Sequence, residues 1–170
     1  MSEILDIINR ITEKFEQPIN IGSTVKAYVY YRIDALTGSE VITLAEDLAL
    51  KVNDAFGSEI PDCLIAIKPE SEELAKQLAK ILYPEMPLDV YTYDSIKENA
   101  QVRSELKGRR AALINNIITT GRTCLEVHSI ASMICNVVCW ATIIDRTFGP
   151  GPVQVIASHT GEPVVLLEQF

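Results

Sequence analysis

Residues 112 to 123 read A-L-I-N-N-I-I-T-T-G-R-T, an apolar run, two asparagines, two isoleucines and a threonine-glycine turn. The hydroxyls of Thr119, Thr120 and Thr123 can donate to an anion, and Gly121 can take the positive φ that lets a backbone curl around one. A helix starting near Thr123 would turn its partial positive charge toward the same point. That is the construction of a phosphate cradle. The residues also fit a turn with no ligand, in which Thr123 caps the helix and Gly121 only makes the bend. Taken alone, they leave both readings open.

The elements around this turn decide where it lies. Ile4, Leu5, Ile8 and Ile11 recur at helical spacing and predict an amphipathic N-terminal helix running toward Phe15. The aromatic and β-branched A-Y-V-Y-Y-R-I-D (27–34) reads as a strand that T-G-S-E breaks. Val41, Leu44, Ala45, Leu48, Val52 and Phe56 mark a helix that Gly57 stops, and Pro61 opens the buried strand C-L-I-A-I (63–67). Leu74, Leu78, Ile81 and Leu82 mark the next helix, closed by Pro84 and Pro87 before the strand L-D-V-Y-T-Y (88–93). The polar stretch 94–110 shows no strong period and reads as a loop or a loosely held helical excursion.

The A-A-L-I strand, the threonine turn, a helix over 123–134 and strands over 137–145 and 153–158 complete the chain. Strand and helix thus alternate from residue 28 onward, the pattern of a parallel sheet covered by helices, within a single domain spanning 1–170. In such a sheet ligands sit beyond the carboxyl ends of the strands, where the threonine turn falls.

Composition narrows the function. With a formal net charge of −8 and a pI of about 4.8, the surface as a whole repels a nucleic-acid backbone, which argues against nucleic acid as a partner. Cys63, Cys124, Cys135 and Cys139 form no C-x-x-C pair, and His128 and His159 stand at no ligand-like spacing to them, which argues against structural zinc. Cysteines inside apolar runs read as small buried hydrophobes and suit a reducing cytoplasm. No run approaches the ~20 apolar residues of a membrane span, and the N-terminus lacks the basic start of a signal peptide.

The stretch A-L-I-N-N-I-I-T-T-G-R-T resembles the phosphoribosyl pyrophosphate motif of the type I phosphoribosyltransferases, in which an apolar strand leads through two acidic and two apolar residues into T-T-G-G-T or a near variant. Downstream, A-S-M-I-C-N-V-V-C-W-A-T-I-I-D-R-T is similar to the orotate branch of that family. Upstream, so is N-I-G-S-T-V-K-A-Y-V-Y-Y-R-I-D-A-L-T, and V-V-L-L-E-Q-F resembles its C-terminal strand. The match runs through most of the chain in order, with the phosphate turn and the Asp145-Arg146 pair as its specific parts.

The resemblance implies an α/β fold of the type I phosphoribosyltransferase kind: a central parallel sheet flanked by helices, a small hood from the N-terminal segment, and a homodimer. It further implies that Thr119, Thr120, Gly121, Arg122 and Thr123 hold a 5′-phosphate. Asn115 and Asn116 would face the ribose hydroxyls, and Arg146 would read the carboxylate of an orotate-like base unless it only pairs with a nearby acid. The expected partner is a nucleotide or phosphoribosyl small molecule, and Mg²⁺ is the cofactor implied for an active enzyme.

Three departures bear on activity. The family places acids where Asn115 and Asn116 stand; asparagine keeps an acceptor but loses charge, and one charge ~4 Å from another is worth roughly 4 kcal/mol at an effective dielectric near 20. The family's glycine-bearing pyrophosphate loop is replaced by K-P-E-S-E-E-L (68–74). There Pro69 offers no N–H, Glu70, Glu72 and Glu73 repel a diphosphate, and Lys68 alone opposes them. The segment from Asp94 to Lys107 is shorter than the family's lysine-bearing catalytic loop, although Lys97, Arg103 and Lys107 could supply part of its charge. The expectation is an orotate phosphoribosyltransferase-like protein that binds a 5′-phosphate with weak or lost transferase activity. An active magnesium-dependent enzyme and a non-catalytic partner-binding domain are the alternatives.

Overall fold

The computed structural model describes residues 3–21, 25–119, 121–145 and 164–169. Helix α1 (Glu3–Ile11) buries Ile4, Ile7, Ile8 and Ile11, so Ile7 rather than Leu5 joins the inner stripe. The helix ends at Ile11, short of Phe15, where the Thr12 hydroxyl turns back to donate to the Ile8 carbonyl at 2.6 Å.

From there the chain enters strand β1 (Thr12–Ile21), paired antiparallel with β2 (Val25–Tyr31). The sequence hides β1 because most of its residues are exposed, so no inside-outside alternation marks it. Pro18 falls within the irregularity between Lys14 and Ile19, where the ladder can spare an N–H. The hairpin forms a separate two-stranded sheet. The parallel alternation therefore begins at Cys63, not at residue 28.

Helix α2 (Gly38–Phe56) starts at a capping box. Thr37 accepts from the Glu40 N–H while Glu40 accepts from the Thr37 N–H at 2.8 Å. The T-G-S-E that breaks the preceding segment is thus also a helix start. Arg10 donates to the Glu40 carboxylate and, at 2.9 Å, to the Ala35 carbonyl, which pins α1 to this cap. Gly57, at φ 58°, ends the helix.

The main sheet comprises β3 (Cys63–Ala66), β4 (Asp89–Thr92), β5 (Arg110–Ile118), β6 (Asn136–Asp145) and β7 (Val164–Gln169). Its order is β4-β3-β5-β6-β7, and every neighbouring pair is parallel. Alternate residues serve opposite faces. Leu64, Ala66, Ala112 and Ile114 pack with α1, α2 and α3 (Glu72–Leu82), whereas Cys63, Ile65, Leu113 and Trp140 pack with the opposite layer. That layer consists of α4 (Tyr93–Glu98), α5 (Ala100–Leu106) and α6 (Arg122–Ala131).

Segment 94–110 is therefore mostly helical rather than a loop, because Thr92 and Asn99 each cap a short helix and bury Ile96 and Leu106 through it. The predicted strand at 153–158 lies outside the described residues. At the amino ends of the strands, Arg109 donates to the Asp89 carboxylate at 2.8 Å and the Asp62 carbonyl at 2.9 Å. Arg110 donates through its side chain to the carbonyls of Glu59 and Ile60 and through its N–H to the Asp62 carboxylate. All four cysteines are buried and unpaired with one another. No helix among the described residues is long and apolar enough to cross a membrane.

Candidate functional site

Strand β5 delivers Asn115 and Asn116 to the carboxyl edge of the sheet, 5% and 4% exposed. As neighbours on a strand they face opposite sides. The Asn115 amide donates to Cys124 Sγ in α6 at 3.6 Å, and the Asn116 amide donates to the Glu70 carbonyl at 2.8 Å. Each side chain thus has a donor spent on the protein and an oxygen still able to accept.

Past the strand, Gly121 takes φ 76° and ψ −3° and stands at the N-cap of α6, with Arg122 as the first helical residue. Thr123 is therefore inside the first turn and is not the cap, which removes the ligand-free role that the sequence allows it. Gly121 offers no side-chain cap, and the helix dipole places partial positive charge at this start of α6.

A cleft of about 60 Å³ opens at this helix start, lined by Lys68, Asn115, Thr119, Gly121, Arg122 and Thr123 among others. It adjoins a cavity of about 1040 Å³ that shares Lys68, Asn115, Ile117 and Thr119 with it and also takes in Asn116. The hairpin roofs the larger cavity with Ile19, Ile21 and Tyr31, and α2 walls it with Val41 and Leu44. The structure thus brings together Asn115, Asn116, Thr119, Gly121, Arg122 and Thr123. Thr120 and Arg146 lie outside the described residues. Sequence reasoning missed the contribution of β1; the I-N-I of 19–21, which lines the cavity, was the available signal.

Two of the charges that line the cavity, Arg32 and Asp34, are paired with each other. Arg32 donates through Nε and Nη2 to Asp34, at 3.2 and 3.1 Å, and through Nη1 to Glu13 at 2.9 Å. The guanidinium holds the Asp34 carboxyl below the usual carboxylate range. Lys68 forms no ion pair among the described residues and lines both spaces.

The sequence pattern also predicts Glu70, Glu72 and Glu73 together in the first turn of the next helix; in the structure Pro69–Ser71 forms a 3₁₀ turn ahead of α3, so Glu70 precedes that turn and only Glu72 and Glu73 lie in it. Glu70 and Glu73 line the cavity, whereas Glu72 pairs with Lys76 at 2.9 Å. Lys97 is held by Asp94 at 3.0 Å, and Arg103 donates to the carbonyls of Ile96 and Lys97 at 2.8 and 3.0 Å. Neither of these cations, nor Lys107, lines either space.

Burial pushes the Cys124 thiol up to about 11, although Asn115 and Lys68 pull it down, so it stays protonated and unreactive at neutral pH. The residues present do not fit a protein-held Mg²⁺. The two strand-end positions supply neutral amides, and no group of three His, Cys, Asp or Glu among the described residues could hold a metal.

The sequence matches no family model and no curated protein. The structure is similar to the orotate phosphoribosyltransferase of Francisella tularensis (TM-score 0.72, 13% identity, covering 99% of this chain and 86% of that one). It is also similar to the orotate phosphoribosyltransferase of Mycobacterium tuberculosis in complex with 5-phospho-alpha-D-ribosyl 1-diphosphate (0.65, 15%, 98% and 94%). The chain has the fold of the orotate phosphoribosyltransferases. Against the UMP synthase of Leishmania donovani the TM-score is 0.73 at 15% identity, but the chain spans 35% of that protein's length. In this type I phosphoribosyltransferase fold, the hairpin is the hood and the five-stranded parallel sheet is the base.

Proposed function

We propose that this chain is an orotate phosphoribosyltransferase-like protein that binds the 5′-phosphate of a nucleotide or phosphosugar, with transferase activity weak or lost. One observation carries the reading: Gly121 stands in the left-handed region as the N-cap of α6, at a cleft that also receives Lys68, Thr119, Arg122 and Thr123. A phosphate there would meet backbone N–H groups, hydroxyls and the charge of Lys68, and Arg122 would lie beside it. Thr120 and Arg146 belong to the proposed ligand set by the family resemblance alone. The ribose would extend into the larger cavity, with the Asn115 and Asn116 oxygens accepting from its hydroxyls.

Support for impaired transfer comes from the neutral asparagines, from Glu70 and Glu73 beside the path of a diphosphate, and from the commitment of Lys97 and Arg103 elsewhere. A homodimer, implied by the family resemblance of the sequence, and a reducing cytoplasmic setting, which suits the four buried cysteines, complete the proposal.

Isothermal titration with orotidine and uridine monophosphates and with phosphoribosyl pyrophosphate, each with and without magnesium, tests it. Monophosphate binding at least as tight as that of phosphoribosyl pyrophosphate supports the reading. Magnesium-dependent conversion of orotate at the ~10 per second typical of enzymes would establish the active-enzyme alternative.

A further inference from the structure

The larger cavity carries more carboxylates than cations on its lining. Asp34, Glu70 and Glu73 put three carboxylates on its lining against two cations, Arg32 and Lys68. Of those cations, Arg32 already serves Asp34 and Glu13, and Lys68 sits at the boundary with the phosphate cleft. The amides of Asn115 and Asn116 each have a donor turned to Cys124 Sγ and the Glu70 carbonyl, so their oxygens remain as acceptors. The rest of the wall is neutral: Asn20, Tyr30, Tyr31 and Thr119 are its remaining polar side chains, and apolar residues such as Leu44 and Ile143 make up most of what is left.

From this we infer that the cavity selects a base carrying an exocyclic amino group over one carrying a carboxylate, so that the ligand class is the amino-bearing nucleoside 5′-monophosphates. The inference rests on the phosphate-binding reading above and adds the identity of the other half of the ligand. An amino group brought among carboxylates satisfies acceptors that already face water and gains a charge-assisted hydrogen bond. A carboxylate on the base meets like charge, and its natural partner, the Arg32 guanidinium, is engaged. An apolar pocket by itself discriminates poorly between bases of equal size, so the polar positions set the preference.

Calorimetry on the full chain with ribose 5-phosphate and with cytidine, uridine and orotidine 5′-monophosphates separates the possibilities. Cytidine and uridine differ mainly by the amino group, and orotidine adds the carboxylate. The expected order is cytidine monophosphate at least fivefold tighter than uridine monophosphate, with orotidine monophosphate weaker still. Glu70→Gln with Glu73→Gln should bring the cytidine-to-uridine ratio close to one without weakening ribose 5-phosphate. Asp34→Ala, which removes both of the bonds that Asp34 makes with Arg32, should raise orotidine monophosphate affinity severalfold. If ribose 5-phosphate binds but uridine or orotidine monophosphate equals or exceeds cytidine monophosphate, the inference is overturned while the phosphate site stands. If neither ribose 5-phosphate nor any monophosphate binds, both readings fail together.

Discussion

The Asn116 side chain donates to the backbone carbonyl of Glu70 at 2.8 Å, tying the carboxyl end of β5 to the turn that precedes α3. A carboxylate at this position could not donate and would set an acceptor against an acceptor. The family's acid is therefore not simply missing here, because the asparagine has a structural partner. Asn116→Asp should cost about 1–3 kcal/mol of stability. Urea denaturation followed by circular dichroism measures this, and a midpoint equal to that of the unmodified protein at pH 7 would refute it.

For Asn115 the partner is only a thiol at 3.6 Å, so Asn115→Asp is the milder way to restore charge. In the unmodified protein magnesium should change ligand affinity less than twofold. In Asn115→Asp it should strengthen binding of phosphoribosyl pyrophosphate, without restoring turnover while Glu70 and Glu73 stand beside its diphosphate. A strong magnesium effect in the unmodified protein would show that neutral amides suffice.

Replacing Gly121 with valine forces a β-branched side chain into φ 76°. Monophosphate binding should fall at least tenfold in titration while the far-ultraviolet spectrum is retained. Unchanged affinity would remove the turn from the site.

The Glu40 carboxyl is held below its ordinary value of 4.5 by Arg10, then by the Thr37 N–H. A carboxyl with a depressed folded pKa stabilises at pH above its unfolded value and loses that contribution as pH falls through the folded one. Acid unfolding below pH 4.5 should therefore flatten in Glu40→Gln, which should also lose about 1 kcal/mol of helix capping at pH 7. An acid limb identical to that of the unmodified protein would contradict this.

Burial raises the Cys63 thiol to about 12 and Cys124 to about 11. A thiol-reactive disulfide reagent at pH 8 should label neither in the folded protein and both after denaturation. Rapid labelling of Cys124 in the native state would mean that α6 opens away from Asn115.

Much of this was legible in the sequence. Continuous apolar runs such as C-L-I-A-I fit strands covered on both faces, and the threonine-glycine turn after one of them falls at the carboxyl edge of the sheet. Strand β1 was not legible, because T-E-K-F-E-Q-P-I-N-I pairs with one partner and faces solvent on much of its surface. Helices α4 and α5 were hidden for another reason, since they are too short for periodicity to register and rely on their caps at Thr92 and Asn99. The roles of Asn115 and Asn116 depend on Cys124 and on Glu70, which is 46 residues away from Asn116 and unreachable by any local pattern.

The arginine clasp at the amino ends of the strands, where Arg109 and Arg110 gather Asp62, Asp89, Glu59 and Ile60, lies at the pole of the sheet opposite Asn115 and Gly121. Anchorage and chemistry are thereby housed at separate poles. Side chains at the carboxyl edge can exchange charge for neutrality without loosening the clasp, so an architecture of this kind can drift from transferring a group to merely recognising one while its framework persists.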